Sequence, residues 1–487
     1  MSKAPSSHAH PAHAPLPAKT IWTILTGTMI AMFLSALDQT IIAAALPTMA
    51  RELGDFNSIS WVASLYLLAT TAVTPLYGKI SDIHGRRITM LAAISIFVVG
   101  SVACALAPTM LALILARGLQ GLGGGGLISL SQTIIADIVA PKERGKYQIF
   151  FASVYLLASL MGPMLGGFLT EHLHWSLIFW INLPIGLVAW AMTTNTLKLL
   201  PAHHRPHKLD IPGAVLIVLA TVTLMLALDQ GGSRAAWLSP TILGMLGASL
   251  MLWIGFVARI RVAAEPLIPI DILANPVVAS ATTAALFSMG TYVATTIFMP
   301  VYFETARNMS AADSGLALIP FMVGTVVGAT MAGQTMGRIV HYKRLPLAGT
   351  LVAALAALCI AFFQNRMTIV ELEALFTVIA IGLGTVLPTT TVAIQNAVQP
   401  HQLGTATGAM NFFRQLGSAL LVAVFGTILL NAGEMAASTN SEAGDRFFVM
   451  FLATGIGFAI SFMALLFMEE KPLRSSAKHA AEAIIVD

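Results

Sequence analysis

The chain has 487 residues, of which 57% are hydrophobic and only 10% are charged, and its mean hydropathy is +0.82. A water-soluble globular protein carries about 25% charged residues, so this composition excludes a soluble enzyme or a soluble binding module. The pI of about 9.1 would by itself suit a nucleic-acid-binding protein, unless the basic residues serve to orient a membrane protein.

Fourteen stretches are long and apolar enough to cross a bilayer, because a spanning helix needs about 20 predominantly apolar residues. We call them spans 1 to 14; they cover approximately residues 20–46, 57–77, 88–107, 110–136, 147–170, 176–197, 210–229, 239–259, 276–303, 313–336, 346–363, 370–394, 403–430 and 446–468. Helices are expected, since backbone groups in lipid must bond within their own segment and these stretches lack the alternation of a membrane barrel. Span 1 is too long for a cleaved signal peptide and leads into thirteen more spans, so it is predicted to be retained.

Basic residues are distributed unevenly between the two sides of this predicted bundle. With the amino terminus in the cytoplasm, the inner loops and tails hold nineteen of the 26 Lys and Arg residues, the outer loops hold five, and Arg117 and Arg414 lie within spans. This positive-inside pattern predicts a multi-pass protein of the bacterial cytoplasmic (inner) membrane with both termini in the cytoplasm. The basic pI therefore reports orientation and predicts no nucleic-acid partner.

Weak internal repetition indicates two similar halves. A glycine followed by a basic cluster occurs after span 2, in GKISDIHGRRITM, and again after span 10, in GRIVHYKRLPL, where His341 takes the place of the acid. Such duplication is typical of transporter folds built from repeated bundles. The predicted domains are a disordered cytoplasmic tail (1–19), an N-terminal six-helix bundle (20–197), a linker with spans 7 and 8 (198–275), a C-terminal six-helix bundle (276–468) and a cytoplasmic tail (469–487).

Asp38 in span 1 and Arg117 in span 4 are ionisable residues placed where hydrocarbon should surround them. Charge at such depth is unfavourable and usually marks function. Span 1 runs outward and span 4 inward, so both residues lie roughly 10 to 12 Å below the outer surface at 1.5 Å per residue, and they can share one depth. Water access and the distance to the guanidinium then control whether the carboxyl holds a proton. The alternative is a static ion pair that joins the two spans.

Seven short strings spread over residues 20–468 form a recognisable set. They are LDQTIIAAALP in span 1, GKISDIHGRR after span 2, RGLQGLGGGG in span 4, GPMLGGFL in span 5, WSLIFWINLPIG at span 6, and AIQNAV and GTATGAMNFFRQLG around spans 12 and 13. In this order they resemble the fourteen-helix drug:proton antiporter branch of the major facilitator superfamily, the EmrB/QacA type. The resemblance implies an all-α integral membrane protein with two six-helix bundles and two extra linker helices. It also implies multidrug efflux by alternating access, in which Asp38 and Arg117 couple transport to protons.

The resemblance further implies a conformational latch on the inner side. Its members would be Gly78, Asp82, Gly85, Arg86, Arg87 and Asp137. Arg86 would pair with Asp137, and Asp82 would face the positive helix start of span 13 near Gly404 when the protein opens outward. A solvated loop that only sets topology is the alternative.

Span 5 holds Gly162, Pro163, Gly166 and Gly167, which remove side-chain bulk and one backbone donor at one place. Small residues let helices approach closely, and proline bends a helix. The resemblance implies that this string seals the inward route against leak, and ordinary close packing is the alternative reading. The two are compatible.

Polar residues within the spans are candidates for a central cavity. They are Gln120, Gln395, Asn396, Asn411 and Arg414. Arg414 is expected either to face the cavity or to pair with polar groups of span 12, such as Gln395 and Asn396. With Asp38 negative and Arg117 and Arg414 positive, the membrane interior is one unit positive, which favours neutral, zwitterionic, monocationic or anionic amphipaths as substrates.

Three glycines of span 4, Gly121, Gly123 and Gly126, match the dinucleotide pattern G-x-G-x-x-G, but no strand precedes them. We therefore expect no cofactor. Because no Walker sequence appears, we also expect that ATP bound to this chain does not power transport. Cys104 and Cys359 lie in spans and predict neither a disulfide nor a metal site. No enzymatic activity is expected.

Two other functions stay open at this point. One is a proton symporter or facilitator for uptake of a small metabolite, which the Gly-Pro string of span 5 disfavours. The other is a non-transporting membrane scaffold or receptor, which the short loops disfavour. The expected partners are hydrophobic small molecules, protons and the lipid bilayer. Whether a periplasmic adaptor protein binds stays open. The chain is expected to act as a monomer.

Overall fold

The computed structural model describes residues 17–56, 58–199, 208–232, 235–430 and 440–474. Within these ranges the chain is helical and holds no strand beyond one isolated bridge between Gly231 and Ala235. Of the predicted tail 1–19, residues 1–16 lie outside the described residues. Of the tail 469–487, the structure describes residues 469–474.

Fourteen helices of the described chain are long and apolar enough to span a membrane, in the number and order that the sequence predicts. They are α1 (Ala18–Leu53), α2 (Ile59–His84), α3 (Arg86–Ala105), α4 (Met110–Ile138), α5 (Pro141–His172), α6 (Leu177–Thr196), α7 (Ile211–Gln230), α8 (Pro240–Val262), α9 (Pro276–Arg307), α10 (Asp313–Met336), α11 (Arg344–Arg366), α12 (Ile369–Ala397), α13 (Pro400–Leu429) and α14 (Arg446–Phe467). The all-α membrane architecture is thereby confirmed.

Helix α1 is longer than the sequence predicts, because it continues through Pro47 to Leu53. A proline removes only its own backbone donor, and the helix resumes beyond it. The end is set by Gly54, whose φ of 73° is left-handed and whose N–H bonds to the carbonyl of Ala50 at 3.1 Å. Asp38 therefore lies about two turns further from the end of α1 than predicted.

Helices α1 to α6 form one bundle and α9 to α14 form the other. The hairpin of α7 and α8 packs beside α2 and α13, where Ile217 and Phe256 meet Phe412 in one apolar cluster. The side chains of Ser64 and Asp229 join α2 to α7 at 2.8 Å. The two extra helices are thus attached where the two bundles meet.

Glycines in α4 let its neighbours approach closely. A Cβ at Gly121 would lie 2.5 Å from the carbonyl oxygen of Tyr66 in α2, and one at Gly123 would overlap the backbone of Phe97 in α3. The G-x-G-x-x-G string therefore lies inside a helix that packs against two others.

We call the face that carries residues 17 and 474 the inner face, following the positive-inside prediction. The two bundles contact each other at this face through two glycine pairs, Gly78 with Gly404 and Gly145 with Gly333. A Cβ at Gly145 would lie 3.0 Å from the carbonyl oxygen of Gly333. The inner face is accordingly closed in this structure.

Candidate functional site

Asp38 and Arg117 form an ion pair inside the N-terminal bundle. Nη1 of Arg117 donates to Oδ2 of Asp38 at 2.5 Å, and each side chain is only 1% exposed. The structure thus places the two residues in direct contact, as their shared depth predicts. A buried pair is stable only when its remaining polar atoms also find partners.

Amide side chains supply several of these partners. Oδ1 of Asp38 accepts hydrogen bonds from Nε2 of Gln120 at 2.7 Å and from Nδ2 of Asn182 at 3.0 Å. Nη1 of Arg117 also donates to Oε1 of Gln120 at 2.6 Å, and its Nε donates to the carbonyl of Val62 at 3.1 Å. Gln120 therefore bridges the acid and the base rather than facing an open cavity.

Aromatic rings enclose the guanidinium. Cζ of Arg117 lies 4.1 Å from the ring centroid of Tyr66 and 5.8 Å from that of Phe179. Rings at these distances attract a cation while excluding water. The ion pair is thus held in a dry, preorganised setting.

Asn182 of α6 was not among the sequence-predicted site residues. Its Nδ2 also donates to Oγ of Ser101 in α3 at 3.0 Å, and Ser101 in turn donates to the carbonyl of Phe179 at 2.9 Å. Oδ1 of Asn182 is buried and has no hydrogen-bond partner within the described chain. The signal that pointed to it was an amide inside the apolar string WSLIFWINLPIG.

A second charged network lies at the inner face and joins the two bundles. Asp82 accepts hydrogen bonds from the backbone N–H groups of Gly404 at 3.0 Å and Thr405 at 2.7 Å, at the start of the regular helix of α13. Arg86 donates to Asp82 at 2.5 Å and to Asp137 at 2.7 Å. A carboxylate at a helix start is favoured by the unpaired N–H groups and the helix dipole.

Two glycines shape this network, whereas Arg87 stays outside it. Gly85 has a left-handed φ of 88°, which ends α2 and lets α3 begin at Arg86. Gly78 lies against the backbone of Gly404. The side chain of Arg87 makes no hydrogen bond within the described chain, and its Nε is buried without a partner.

Arg144, which sequence reasoning counted only as a basic loop residue, supports this network. Its buried guanidinium donates to the carbonyl oxygens of Val139 at 2.8 Å and Ala136 at 2.5 Å. These carbonyls lie at the end of α4 and have no partner further along the helix. Arg144 thereby caps the helix end that carries Asp137.

The span 5 string divides into two parts. Gly162 and Gly166 lie against Thr40 and Ile41 of α1, just beyond Asp38, and a Cβ at Gly162 would lie 2.7 Å from Cβ of Thr40. Gly167 faces open space, and a Cβ there would meet nothing within 4 Å. The string therefore brings α5 close to the helix that carries Asp38, and Pro163 lies within α5 at the same level.

Three of the predicted cavity residues lie near the bundle contact on its inner half. Asn411 donates to Oε1 of Gln132 at 2.8 Å, which joins α13 to α4, and Gln395 donates to Thr407 at 3.3 Å. Asn396 lies at the inner end of α12 and donates to the carbonyl of Pro472 at 3.1 Å.

Arg414 bonds to polar groups of α12, though not to the two amides named as candidates. Its Nη2 donates to the carbonyl of Leu387 at 3.1 Å and to the hydroxyls of Thr390 at 3.0 Å and Thr391 at 2.9 Å. It bonds to neither Gln395 nor Asn396, because its side chain lies one to two turns further from the inner face than those two amides.

Residues 469–474 cross the inner face instead of leaving it. Glu470 accepts from the backbone N–H of Lys343 at 2.9 Å, and Asn396 binds the segment near its end. The carbonyl of Arg474 then accepts from the N–H of Lys142 at 3.3 Å, at the start of α5. This segment connects the C-terminal bundle to the N-terminal one.

The fourteen spanning helices of the described residues, with a buried acid–base pair among them, define a multi-pass membrane protein. The chain belongs to the Major Facilitator Superfamily, whose family model matches residues 28–422. Its fourteen spans are consistent with the fourteen-helix branch of that family.

Two relatives from Bacillus subtilis are similar over most of the chain. "Multidrug transporter protein MdtP" is 32% identical over 407 residues, which is 83% of this chain and 75% of the relative. "Multidrug resistance protein 3" is 32% identical over 408 residues, which is 84% of this chain and 79% of the relative.

Solved structures agree in fold. A double Trp mutant of XylE matches with a TM-score of 0.69 at 15% sequence identity, over 95% of this chain and 99% of that one. The human organic anion transporter MFSD10 matches with a TM-score of 0.65 at 16% identity, over 92% of this chain and all of that one. At these identities the likeness concerns the fold alone.

Proposed function

We propose that this transporter is a proton-coupled antiporter that exports hydrophobic or amphipathic organic compounds across the bacterial cytoplasmic membrane by alternating access. The observation that carries the proposal is the ion pair of Asp38 and Arg117, buried at 1% exposure and surrounded by amide partners. The names of the B. subtilis relatives, a multidrug transporter and a multidrug resistance protein, support drug-like compounds as the substrate class.

Proton binding and the ion pair exclude each other. A proton on Asp38 removes its charge and leaves Arg117 as a buried cation without a counter-charge, which is unfavourable by about 3–5 kcal/mol when one partner of a buried pair is lost. The protonated acid also needs a hydrogen-bond acceptor, and Oδ1 of Asn182 can fill this role if its amide turns over. Protonation therefore favours a different arrangement of α1 and α4, and this is the coupling step.

The inner network supplies the second element of the mechanism. Asp82 holds the start of α13, so rocking of the bundles toward an inward-open state must break its bonds to Gly404 and Thr405. Asp137 holds Arg86 in place beside it. We assign this network the role of a latch that stabilises the state with a closed inner face.

The central test is transport in proteoliposomes under an imposed pH gradient. We expect Asp38→Asn to abolish gradient-driven transport of a fluorescent substrate, because the amide cannot carry the proton. Asp210→Asn is the matched control, since Asp210 is another buried acid, paired with Arg259 at 3.0 Å in the linker hairpin. Gradient-driven transport by Asp38→Asn at the wild-type rate would refute the coupling assignment.

A further inference from the structure

Arg414 is a buried cation near mid-depth in α13, with a side chain only 8% exposed. Three neutral oxygen atoms of α12 accept hydrogen bonds from it, all through Nη2. Its Nε is buried without a partner, and Nη1 donates to no described residue. Among the described residues, no carboxylate bonds to it.

Each of the other two buried arginines of the described chain lies next to a group with full or partial negative charge. Arg117 has the carboxylate of Asp38, and Arg144 lies on the carbonyl end of α4, which carries partial negative charge. A charge in apolar surroundings is normally balanced by an ion or a helix end. Arg414 has neither, so a counter-charge is missing at this position.

The guanidinium lies where the two bundles face each other. Asn411, three residues earlier and therefore on the same side of α13, bonds to Gln132 of the N-terminal bundle. Tyr155 of α5 is close enough to Arg414 to interact with it electrostatically. Tyr155 in turn packs against the buried apolar cluster of Ala36, Leu37 and Ala158. A cation of the C-terminal bundle is thus near apolar packing of the N-terminal bundle.

We propose that Arg414 recognises the acidic group of an amphipathic organic anion, which supplies the missing counter-charge when it binds between the bundles. The free donors on Nε and Nη1 would bind a carboxylate or sulfonate, and the partly exposed ring of Tyr155 would contact the apolar body of the molecule. The proposal rests on the transport function proposed above and names its substrate class.

The experiment compares dansyl ligands with an acidic, a neutral and a cationic head group; the acid and its amide have the same length. Purified full-length protein in detergent is titrated with dansylglycine, with its uncharged amide and with the cation dansylcadaverine, and binding is followed by dansyl fluorescence. We expect wild-type protein to bind the acid at least about tenfold more tightly than the amide, as a charged hydrogen bond provides. Arg414→Gln should remove this preference while the amide binds as before, and Arg414→Lys should keep part of it. Arg261→Gln is the control, because Arg261 is an exposed cation at the inner end of α8.

Equal binding of acid and amide by the wild type, or a preference that survives Arg414→Gln, overturns the proposal. If Arg414→Gln does not fold, equal binding of acid and amide by the wild type still overturns the proposal, and Arg414→Lys tests the role of the side chain. Displacement of dansylglycine by chloride, with gluconate as the ionic-strength control, would identify an inorganic counter-ion and also overturn it. Binding is measured without a pH gradient, so it does not depend on proton coupling. Failure of the Asp38 coupling assignment would appear only in the proteoliposome assay.

Discussion

Asn182 binds the oxygen of Asp38 that Arg117 does not contact. Removing a donor from a carboxylate destabilises its ionised form, and a hydrogen bond to a charged group contributes about 1.5–3 kcal/mol. Asn182→Ala should therefore slow proton-driven transport and change its pH profile. The measurement is the initial rate of substrate uptake into proteoliposomes over a series of pH values.

Asn195→Ala provides the control for this prediction, since Asn195 is an exposed amide on the same helix. Its pH profile should match that of the wild type. An unchanged profile in Asn182→Ala would mean that this amide is a packing residue and does not hold the acid.

At the scale of helices, the approach of α5 to α1 positions the segment that follows Asp38. A methyl group at Gly166 would overlap the backbone and side chain of Ile41, and overpacking of this kind is unfavourable by about 1–3 kcal/mol. Gly166→Ala should therefore lower the midpoint of thermal unfolding in detergent and slow transport.

Gly167→Ala is its matched control, one residue further along α5. The added methyl group meets nothing within 4 Å, and alanine favours a helix over glycine by up to about 1 kcal/mol. Its melting temperature should equal or exceed that of the wild type. If both variants melt alike, the close contact with α1 does not limit stability.

For the whole molecule, we expect the proposed latch at Asp82 to set the balance between the inward-open state and the state with a closed inner face. Asp82→Asn weakens two hydrogen bonds to the start of α13, and a loss of about 1.4 kcal/mol changes a population ratio tenfold. We expect a larger inward-open population, seen as longer distances between spin labels placed at Glu143 and Arg338 on opposite bundles. Asp271→Asn, an exposed acid outside the network, should leave the distances unchanged. Unaltered distances in Asp82→Asn would contradict the latch.

Much of this architecture follows from the sequence alone. In lipid, each span must form its backbone hydrogen bonds within its own helix, so each span appears in the sequence as one long apolar stretch. The number and order of spans and the shared depth of Asp38 and Arg117 follow in that way. The apolar stretch of span 1 was predicted to end at residue 46, whereas the helix continues through Pro47 to Leu53.

Only the tertiary structure decided which side chains meet. A helix that is apolar all round carries no stripe that shows its rotation about its own axis, so the sequence cannot say which face meets which neighbour. The bond of Asn182 to Asp38, the cap that Arg144 provides for α4 and the threonines around Arg414 all depend on that rotation. The sequence determined which spans carry the buried charges, because charge is rare in an apolar stretch, and the packing of the helices determined what balances each of them.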